Sequence, residues 1–528
     1  MNGEMVRQAH HKKKFELEKP GAVRVRIAPS PTGYFHIATA RAGLANYLFA
    51  KKRQGVFILR IEDTDQQRYK PEYTQDILDN FKWLGLDWDE GPGIESKYGP
   101  YFQSRRLELY KKYLKKLLDD DKAYHCFCTE QDLEAEKQYL MSIGKAPIYS
   151  GKCAKLGKQE TEERLAKGER SIIRFRTPIK KVIFNDLVRG EIEFDSSLIG
   201  DFSIAKSIDE PLYNLANVID DFEMKISHVI RGEDHISNTP KQILVYEALG
   251  FSIPQFGHLP IILAPDKTKL SKRHGSVSIR DFRAQGYLPE ALINFIAFLG
   301  WNPGTEREIY SLPSLIQEFS LERVKKGGAI FNQKRLDFLN GFYIRKKPIE
   351  QLTEVCIPFL IKAGLIQLEK EKISFLDGKF IVLDTKEIIE IKDIEAMVSL
   401  YHERLKRLGE IPDLIDFFLK QNLDYNKENL KWKNQTDKEL RLVLDRVGEL
   451  LSGINNDNWN EKEIEKVLLP EAENIDKLLN RQGNRGEMLW PLRVALTGKQ
   501  ASAGPFEIAQ VLGREKTLKR LEQAKERV

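Results

Sequence analysis

His36 follows the turn Pro29-Ser-Pro-Thr-Gly33 by three residues and stands where a helix is about to begin. Free backbone N–H groups and the positive end of the dipole favour a phosphate at such a point, and an imidazole adds one more donor. The plainer alternative is a capping or core histidine packed by Phe35 and Ile37. Ala38 stands where glycine would be easier to explain, because glycine lets a ligand lie directly against the helix backbone. A second element is the basic loop Pro265-Asp-Lys-Thr-Lys-Leu-Ser-Lys-Arg-His-Gly275. Lys269, Lys272 and Arg273 could surround a triphosphate with Ser271 as a hydrogen-bond donor, and a mobile basic loop suits phosphate displacement. Taken alone, the loop reads equally well as a solvated turn. A third element is the sulfur set Cys126-x-Cys128 and Cys153, three of the four cysteines in the chain. A close Cys group in a reducing compartment points to metal or redox chemistry before it points to disulfides.

The elements that must position these residues follow from periodicity. Val23 to Ile27 alternates as a short strand, PSPTG makes the turn, and a helix is expected from about His36 to Lys52, with Gly55 placed to end it. Val56 to Ile61 reads as a second strand leading into Glu62-Asp-Thr-Asp65. The order strand, helix, strand predicts a βαβ unit of a parallel sheet, and ligands sit at the carboxyl ends of such strands, so Arg26 and Glu62 should face one crevice. Met224 to Ile230 predicts another strand, followed by Arg231-Gly-Glu-Asp-His235 and a helix with Thr239 as N-cap, Pro240 in its first turn, Gln242 as reciprocal cap and Gly250 as stop. Between the halves, about Arg105 to Leu212, lies a segment with β-like runs at Ser171 to Arg176 and Val182 to Phe184, which predicts an insertion. After about Asp281 the chain turns helical, and helical spacing dominates from Lys346 onward, as in Ile349 to Leu360 and Leu440 to Leu451.

At 528 residues, three or four domains are expected on a prior of about 150 residues each. The chain is 41% hydrophobic and 31% charged, without a run of about 18 apolar residues, so a soluble cytoplasmic protein with no membrane partner is expected. The first twenty residues carry no apolar signal core and read as a flexible leader. A net charge of +6 permits a polyanionic partner without requiring one.

Taken in order, RIAPSPTGYFHIATAR, LRIEDTD, WLGLDWDEGP, NLANVIDD, HVIRGEDHISNTPKQILVYEALG and KLSKRHG resemble bacterial glutamyl-tRNA synthetases, a family of class I aminoacyl-tRNA synthetases. LERV at Leu321, LDFLNGFYIR at Leu336 and LWPLRVALTG at Leu489 extend the resemblance, which runs from about Val23 to Leu521. It implies a Rossmann-type catalytic domain (21–104 and 213–278) split by an acceptor-binding insertion (105–212), then a stem-contact region (279–345) and an all-α anticodon-binding module (346–528), with 1–20 as leader. It also implies a reaction in which glutamate and ATP give glutamyl adenylate and the acyl group passes to the terminal ribose of tRNA(Glu), with tRNA(Gln) left open. Mg²⁺ would accompany ATP, and the family favours a monomer.

Residue by residue, the resemblance assigns His36, Lys269, Ser271 and Lys272 to catalysis. It assigns Pro29, Thr32, Gly33, Ala38, Thr39, Leu270 and Arg273, with those four, to ATP. Arg26, Ala28, Ser30, Glu62, Tyr213, Asn217 and Arg231 go to glutamate, whose acidic side chain suits arginine and whose ammonium suits Glu62. The family usually has glycine at Ala38, so an altered adenine or ribose contact is expected, weakened by about 1 to 3 kcal/mol without relaxation. Some members carry zinc on an element like Cys126, Cys128, Tyr149 and Cys153; His125 is a chemically plainer fourth ligand, and three free thiols are the alternative. Arg485, Arg493 and Lys499 could meet tRNA phosphates or simply be solvated. A relative that glutamylates a modified base lacks the C-terminal helices, and glutaminyl-tRNA synthetases carry β-barrels there. The reading from another class is a tRNA-binding paralogue with weakened catalysis, motivated by Ala38 alone.

Overall fold

The computed structural model describes residues 23–65, 67–369, 378–480 and 482–528, so the leader read at 1–20 lies outside the described residues. The chain forms two compact units, the first running to residue 283 and including 289–333, the second made of 284–288 and 334–528.

The first unit is built on a six-stranded sheet in the order Val56–Leu59, Arg24–Ile27, His228–Gly232, Gln255–Leu259, Lys181–Asp186, Gly190–Asp195. The first five strands run parallel and the last closes an antiparallel hairpin. Arg24–Ile27 is the first strand in sequence; the chain leaves it to one side for Val56–Leu59 and later returns on its other side as His228–Gly232, which places the switch point at its carboxyl end. The predicted βαβ unit is present: Arg24–Ile27, the helix Ile37–Lys52 and Val56–Leu59, in register from Arg24 opposite Val56. Gly55 acts differently from the expectation. Gln54 takes the left-handed conformation at φ 52°, whereas a Cβ on Gly55 would stand 2.4 Å from the Val23 carbonyl oxygen. Close strand approach, and not helix termination, is what requires glycine there.

Other elements differ from the sequence reading. Met224 ends the helix Tyr213–Glu223, and the strand begins only at His228. The apolar alternation Met224, Ile226 reflects a buried turn, through Lys225 at φ 57°, in place of a strand. Gly250 does cap its helix, in the left-handed conformation. Thr239 and Gln242 are not caps; the helix Thr239–Leu249 has no side-chain cap bond, and both side chains turn to Arg231. Of the segment read as an insertion, Ala123–Cys126, Ile172–Phe175, Ser203–Ser207 and Glu210–Pro211 make a separate antiparallel sheet. The hairpin Lys181–Asp195 instead extends the main sheet, because Asp186 pairs with Phe256.

The second unit is mainly helical, as expected. Leu440, Val443, Leu444, Val447 and Leu451 form the buried stripe of the helix Asp437–Ser452, which packs on Gly486–Thr497 and Arg514–Glu526. The unit is not purely helical: Ile366–Leu368, Lys379–Val382 and Ile388–Glu390 form a three-stranded antiparallel sheet. Lys499 is bound to the Asp413 carbonyl and to Asp416 at 2.5 Å, so it is not a free cation.

Candidate active site

A cleft of about 1110 Å³ opens at the switch point of the sheet. Its wall is made by the turn after Arg24–Ile27, the start of Ile37–Lys52, the strand end His228–Gly232 and the beginning of the basic loop. Arg26, Ala28, Pro29, Ser30, Thr32, His36, Ala38, Thr39, Glu62, Tyr213, Arg231, Lys269 and Leu270 all line it. Gly33, Asn217, Ser271, Lys272 and Arg273 do not line it.

His36 is both the cap and a wall residue. It is the N-cap of Ile37–Lys52, and its Nδ1 accepts from the Ala38 N–H at 3.1 Å. An imidazole that accepts at Nδ1 carries its proton at Nε2, so one helix N–H is satisfied internally and a new donor is presented in exchange. Burial, reinforced by the charges of Lys269 and Lys272, holds its pKa below the ordinary value and favours this neutral form. Beyond Leu270 the basic loop folds into the short turn Lys272–His274, where His274 bonds Ser271 and Arg273 bonds Thr268.

The floor is a buried network of charge. Arg26 holds Asp221 with two bonds, Nε to Oδ1 at 3.0 Å and Nη2 to Oδ2 at 3.2 Å. Arg60 donates to Asp221 at 2.7 Å and to Glu62 at 3.1 Å, and Arg106 donates to Asp220 at 2.6 Å. Three guanidiniums thus face three carboxylates, which offsets the cost of burying them. Asn217 donates to Glu62 Oε1 at 2.9 Å. Tyr213, Asn217, Asp220 and Asp221 follow the spacing i, i+4, i+7, i+8 and so share one face of the helix Tyr213–Glu223. The adjacent acids Asp220 and Asp221, on the same helix face as Tyr213 and Asn217, were the sequence signal for this network, which the sequence reading did not use.

Arg231 differs from the other three. It is only 6% exposed, and its partners are His258 Nε2 at 3.3 Å, the Tyr213 hydroxyl at 3.2 Å, Thr239 Oγ1 at 2.9 Å and Gln242 Oε1 at 2.7 Å. All are neutral. Burial lowers its pKa from the ordinary arginine value. Four of its five N–H groups are used, leaving one on Nη1, on a residue that lines the cleft. A buried cation without a carboxylate is costly unless an anion completes it. His235, which sequence reasoning missed, lines the same wall and bonds the Tyr213 hydroxyl at 3.1 Å.

Outside the cleft lining, the Sγ atoms of Cys126, Cys128 and Cys153 lie within 4.8 Å of one another. The Tyr149 hydroxyl is 3.4 Å from Cys126 Sγ and 3.5 Å from Cys128 Sγ. His125 alternates to the other side of its strand and bonds Ser171 at 3.0 Å, which removes it from the set. The Arg174 guanidinium lies 4.1 Å over the Tyr149 ring, a positive neighbour that suits several anionic ligands. This donor set fits a tetrahedral zinc. Among the described residues no other group of three or more His, Cys, Asp or Glu brings its ligand atoms together in this way.

Fold and cleft together define a doubly wound α/β catalytic class, with a helix N-terminus and a basic loop across a switch-point crevice. Residues 22–338 match the family described as tRNA synthetases class I (E and Q), catalytic domain, and residues 351–525 match the anticodon binding domain. The chain belongs to the class I tRNA synthetases of the E and Q group. Its relatives include a glutamate–tRNA ligase of Carboxydothermus hydrogenoformans, 44% identical over 93% of this chain and 97% of the relative. Glutamate–tRNA ligase 1 of Caldicellulosiruptor saccharolyticus is also 44% identical, over 95% of this chain and 98% of the relative. A solved glutamate tRNA ligase from Elizabethkingia meningosepticum, in complex with its amino acid, superposes with a TM-score of 0.80 at 30% identity, covering 96% of this chain and 99% of that one.

Proposed function

We propose that this chain attaches L-glutamate to tRNA(Glu) in an ATP-dependent reaction through glutamyl adenylate. The observation that carries the reading is Arg231: a buried guanidinium in the cleft whose protein partners are all neutral calls for an acidic substrate group. Arg26 and Tyr213 join it around the glutamate side chain, beside the backbone at Ala28. Glu62 Oε1 is taken by Arg60 and Asn217, leaving Oε2 for the α-ammonium, with Ser30 beside it.

ATP lies along the start of Ile37–Lys52, against Pro29, Thr32, Gly33, Ala38, Thr39 and Leu270. The glutamate α-carboxylate attacks the α-phosphate, and pyrophosphate leaves. His36 Nε2–H, the helix N-terminus, Lys269, Ser271, Lys272 and Arg273 stabilise the charge that develops, without a covalent enzyme intermediate. Ser271, Lys272 and Arg273 lie outside the cleft lining, so the loop must close over the triphosphate for these contacts to form. Mg²⁺ would accompany ATP and would supply charge compensation for the pyrophosphate. In the second step the terminal ribose hydroxyl of tRNA attacks the mixed anhydride and AMP leaves. Cys126, Cys128, Tyr149 and Cys153 would hold a structural zinc, which would fix the loop carrying them.

The residues between 105 and 212 meet the acceptor end, the stem-contact region meets the stem, and the helical second unit meets the anticodon. The protein acts as a cytoplasmic monomer, and tRNA(Gln) is a second substrate to be tried. Ala38 alone does not favour a non-catalytic paralogue, since its N–H still positions His36. The test is charging of tRNA(Glu) and tRNA(Gln) transcripts with radiolabelled glutamate. Accumulation of glutamyl-tRNA is expected, and binding of tRNA without charging would overturn the reading.

A further inference from the structure

His258 does not line the cleft, yet it is wholly buried and touches Arg231, whose hydrogen-bond partners are all neutral. It sits on the strand Gln255–Leu259 and faces Asp186, which lies 72 residues earlier on the neighbouring strand Lys181–Asp186. Asp186 is itself fixed: its Oδ1 accepts from the backbone N–H groups of Val188 at 2.9 Å, Arg189 at 2.8 Å and His258 at 3.2 Å. Its Oδ2 lies 2.6 Å from His258 Nδ1. An ionised carboxylate only accepts, so Nδ1 carries the imidazole proton and Nε2 is left as an acceptor. The Arg231 Nε–H lies 3.3 Å from Nε2, and Thr239 Oγ1, which also receives Arg231 Nη2, lies 3.0 Å from it. Burial, with Arg231 adding to it and Asp186 opposing, holds the imidazole below its usual pKa, in agreement with a neutral ring.

We propose that Asp186 and His258 form a positioning relay for Arg231, fixing the imidazole tautomer so that Nε2 accepts from Nε and aims the guanidinium at the substrate carboxylate. The relay rests on the proposed glutamate reaction and deepens it, because it assigns two residues outside the cleft to recognition of the acidic side chain. Among the described residues the Nε–H has no other hydrogen-bond acceptor. Facing a second N–H in place of a lone pair, the guanidinium would have to rotate, and its Tyr213, Thr239 and Gln242 bonds would turn with it.

Two isosteres separate positioning from mere support. A glutamine amide reaches the place of Nε2 and an asparagine amide only that of Nδ1. His258→Gln therefore keeps an acceptor for Arg231 and gives up the bond to Asp186. His258→Asn keeps the bond to Asp186 and leaves Arg231 Nε–H without a partner. A relay predicts that His258→Asn raises KM for glutamate about tenfold or more, the effect of losing one hydrogen bond to a charged group, while His258→Gln stays within about threefold of wild type. KM for ATP stays unchanged in both. Asp186→Asn changes no atom count at the contact but turns the imidazole round, so that Nε2–H opposes Arg231 Nε–H; it should resemble His258→Asn. The assay is glutamate charging of a tRNA(Glu) transcript by the full chain, with glutamate and ATP varied separately and thermal melting recorded for each variant. Equal KM changes in the two His258 variants, or a larger change in His258→Gln, would overturn the relay and leave a structural role. If His258→Asn does not fold, Asp186→Asn decides by the same KM criterion. A wild-type chain that fails to charge tRNA(Glu) overturns the functional reading, and the relay falls with it.

Discussion

Ala38 is the residue at which this chain departs from the pattern of the family it resembles. It lines the cleft, and its N–H supports the tautomer of His36. Restoring glycine keeps that bond and removes one methyl group from the wall. Ala38→Gly should lower KM for ATP about fivefold or more if the methyl weakens the nucleotide contact by about 1 kcal/mol, and should cost about 0.5 to 1 kcal/mol of stability as a helical glycine. Initial-rate kinetics with ATP varied, together with a urea titration, checks both. Glu62→Gln should raise KM for glutamate about tenfold or more, since a charged partner for an ammonium is lost; the check is the same charging assay with glutamate varied. Single residues were legible in proportion to how local their chemistry is. His36 next to a helix start could be placed from its neighbours in the chain, whereas Arg231 was assigned to glutamate only through the family resemblance. Thr239 and Gln242 were misread as caps because polar residues at a helix start follow the same sequence pattern whether they bind backbone or, from inside the first turn, a buried arginine. The Asp186 and His258 pair had no sequence signal at a separation of 72 residues.

Strands and helices show a similar division. The βαβ unit announced itself through alternation and a turn, whereas the strand expected at Met224 began four residues later, because a buried turn and a strand present the same apolar alternation. The hairpin Lys181–Asp195 was expected in the insertion, yet it joined the main sheet, since membership of a sheet is decided by pairing between distant strands. Burial also leaves a pH signature in the strand His228–Gly232 and the turn that follows. Burial lowers His228 and His235 to about 4. Both are neutral in the folded chain, while the unfolded chain takes up their protons below about pH 6.5. Their contribution is therefore fully present above about pH 6.5 and is lost as pH falls toward 4. Unfolding free energy should drop by up to about 1.4 kcal/mol per pH unit for each histidine between pH 6 and 5, and His228→Asn should flatten that slope in urea titrations. The cysteine element supports a separate prediction. Purified protein should carry about one zinc per chain by elemental analysis, and chelation should expose the loop after Phe127 to protease while the first unit's main sheet stays protected.

On the scale of the whole molecule, neither unit contains a helix long and apolar enough to cross a membrane among the described residues. A net charge of +6 is modest for a chain of 528 residues, so contact with a polyanion has to come from local patches. Each phosphate neutralised by such a patch should cost about threefold in affinity between about 50 and 200 mM salt, so KM for tRNA should climb at least tenfold over that range while KM for glutamate changes far less. The family assignment covers both units, and the catalytic match ends at residue 338, near the boundary at 333. The proposed function rests on Arg231, a buried cation whose hydrogen-bond partners are all neutral and which would therefore select an acidic amino acid. The most direct measurement is charging of tRNA(Glu) by the full chain with radiolabelled glutamate against radiolabelled glutamine. Charging by glutamate, with kcat/KM for glutamine lower by about a thousandfold or more because the amide leaves Arg231 uncompensated, is the predicted result. Charging by glutamine at a comparable rate, or tRNA bound with no charging by either amino acid, would contradict it.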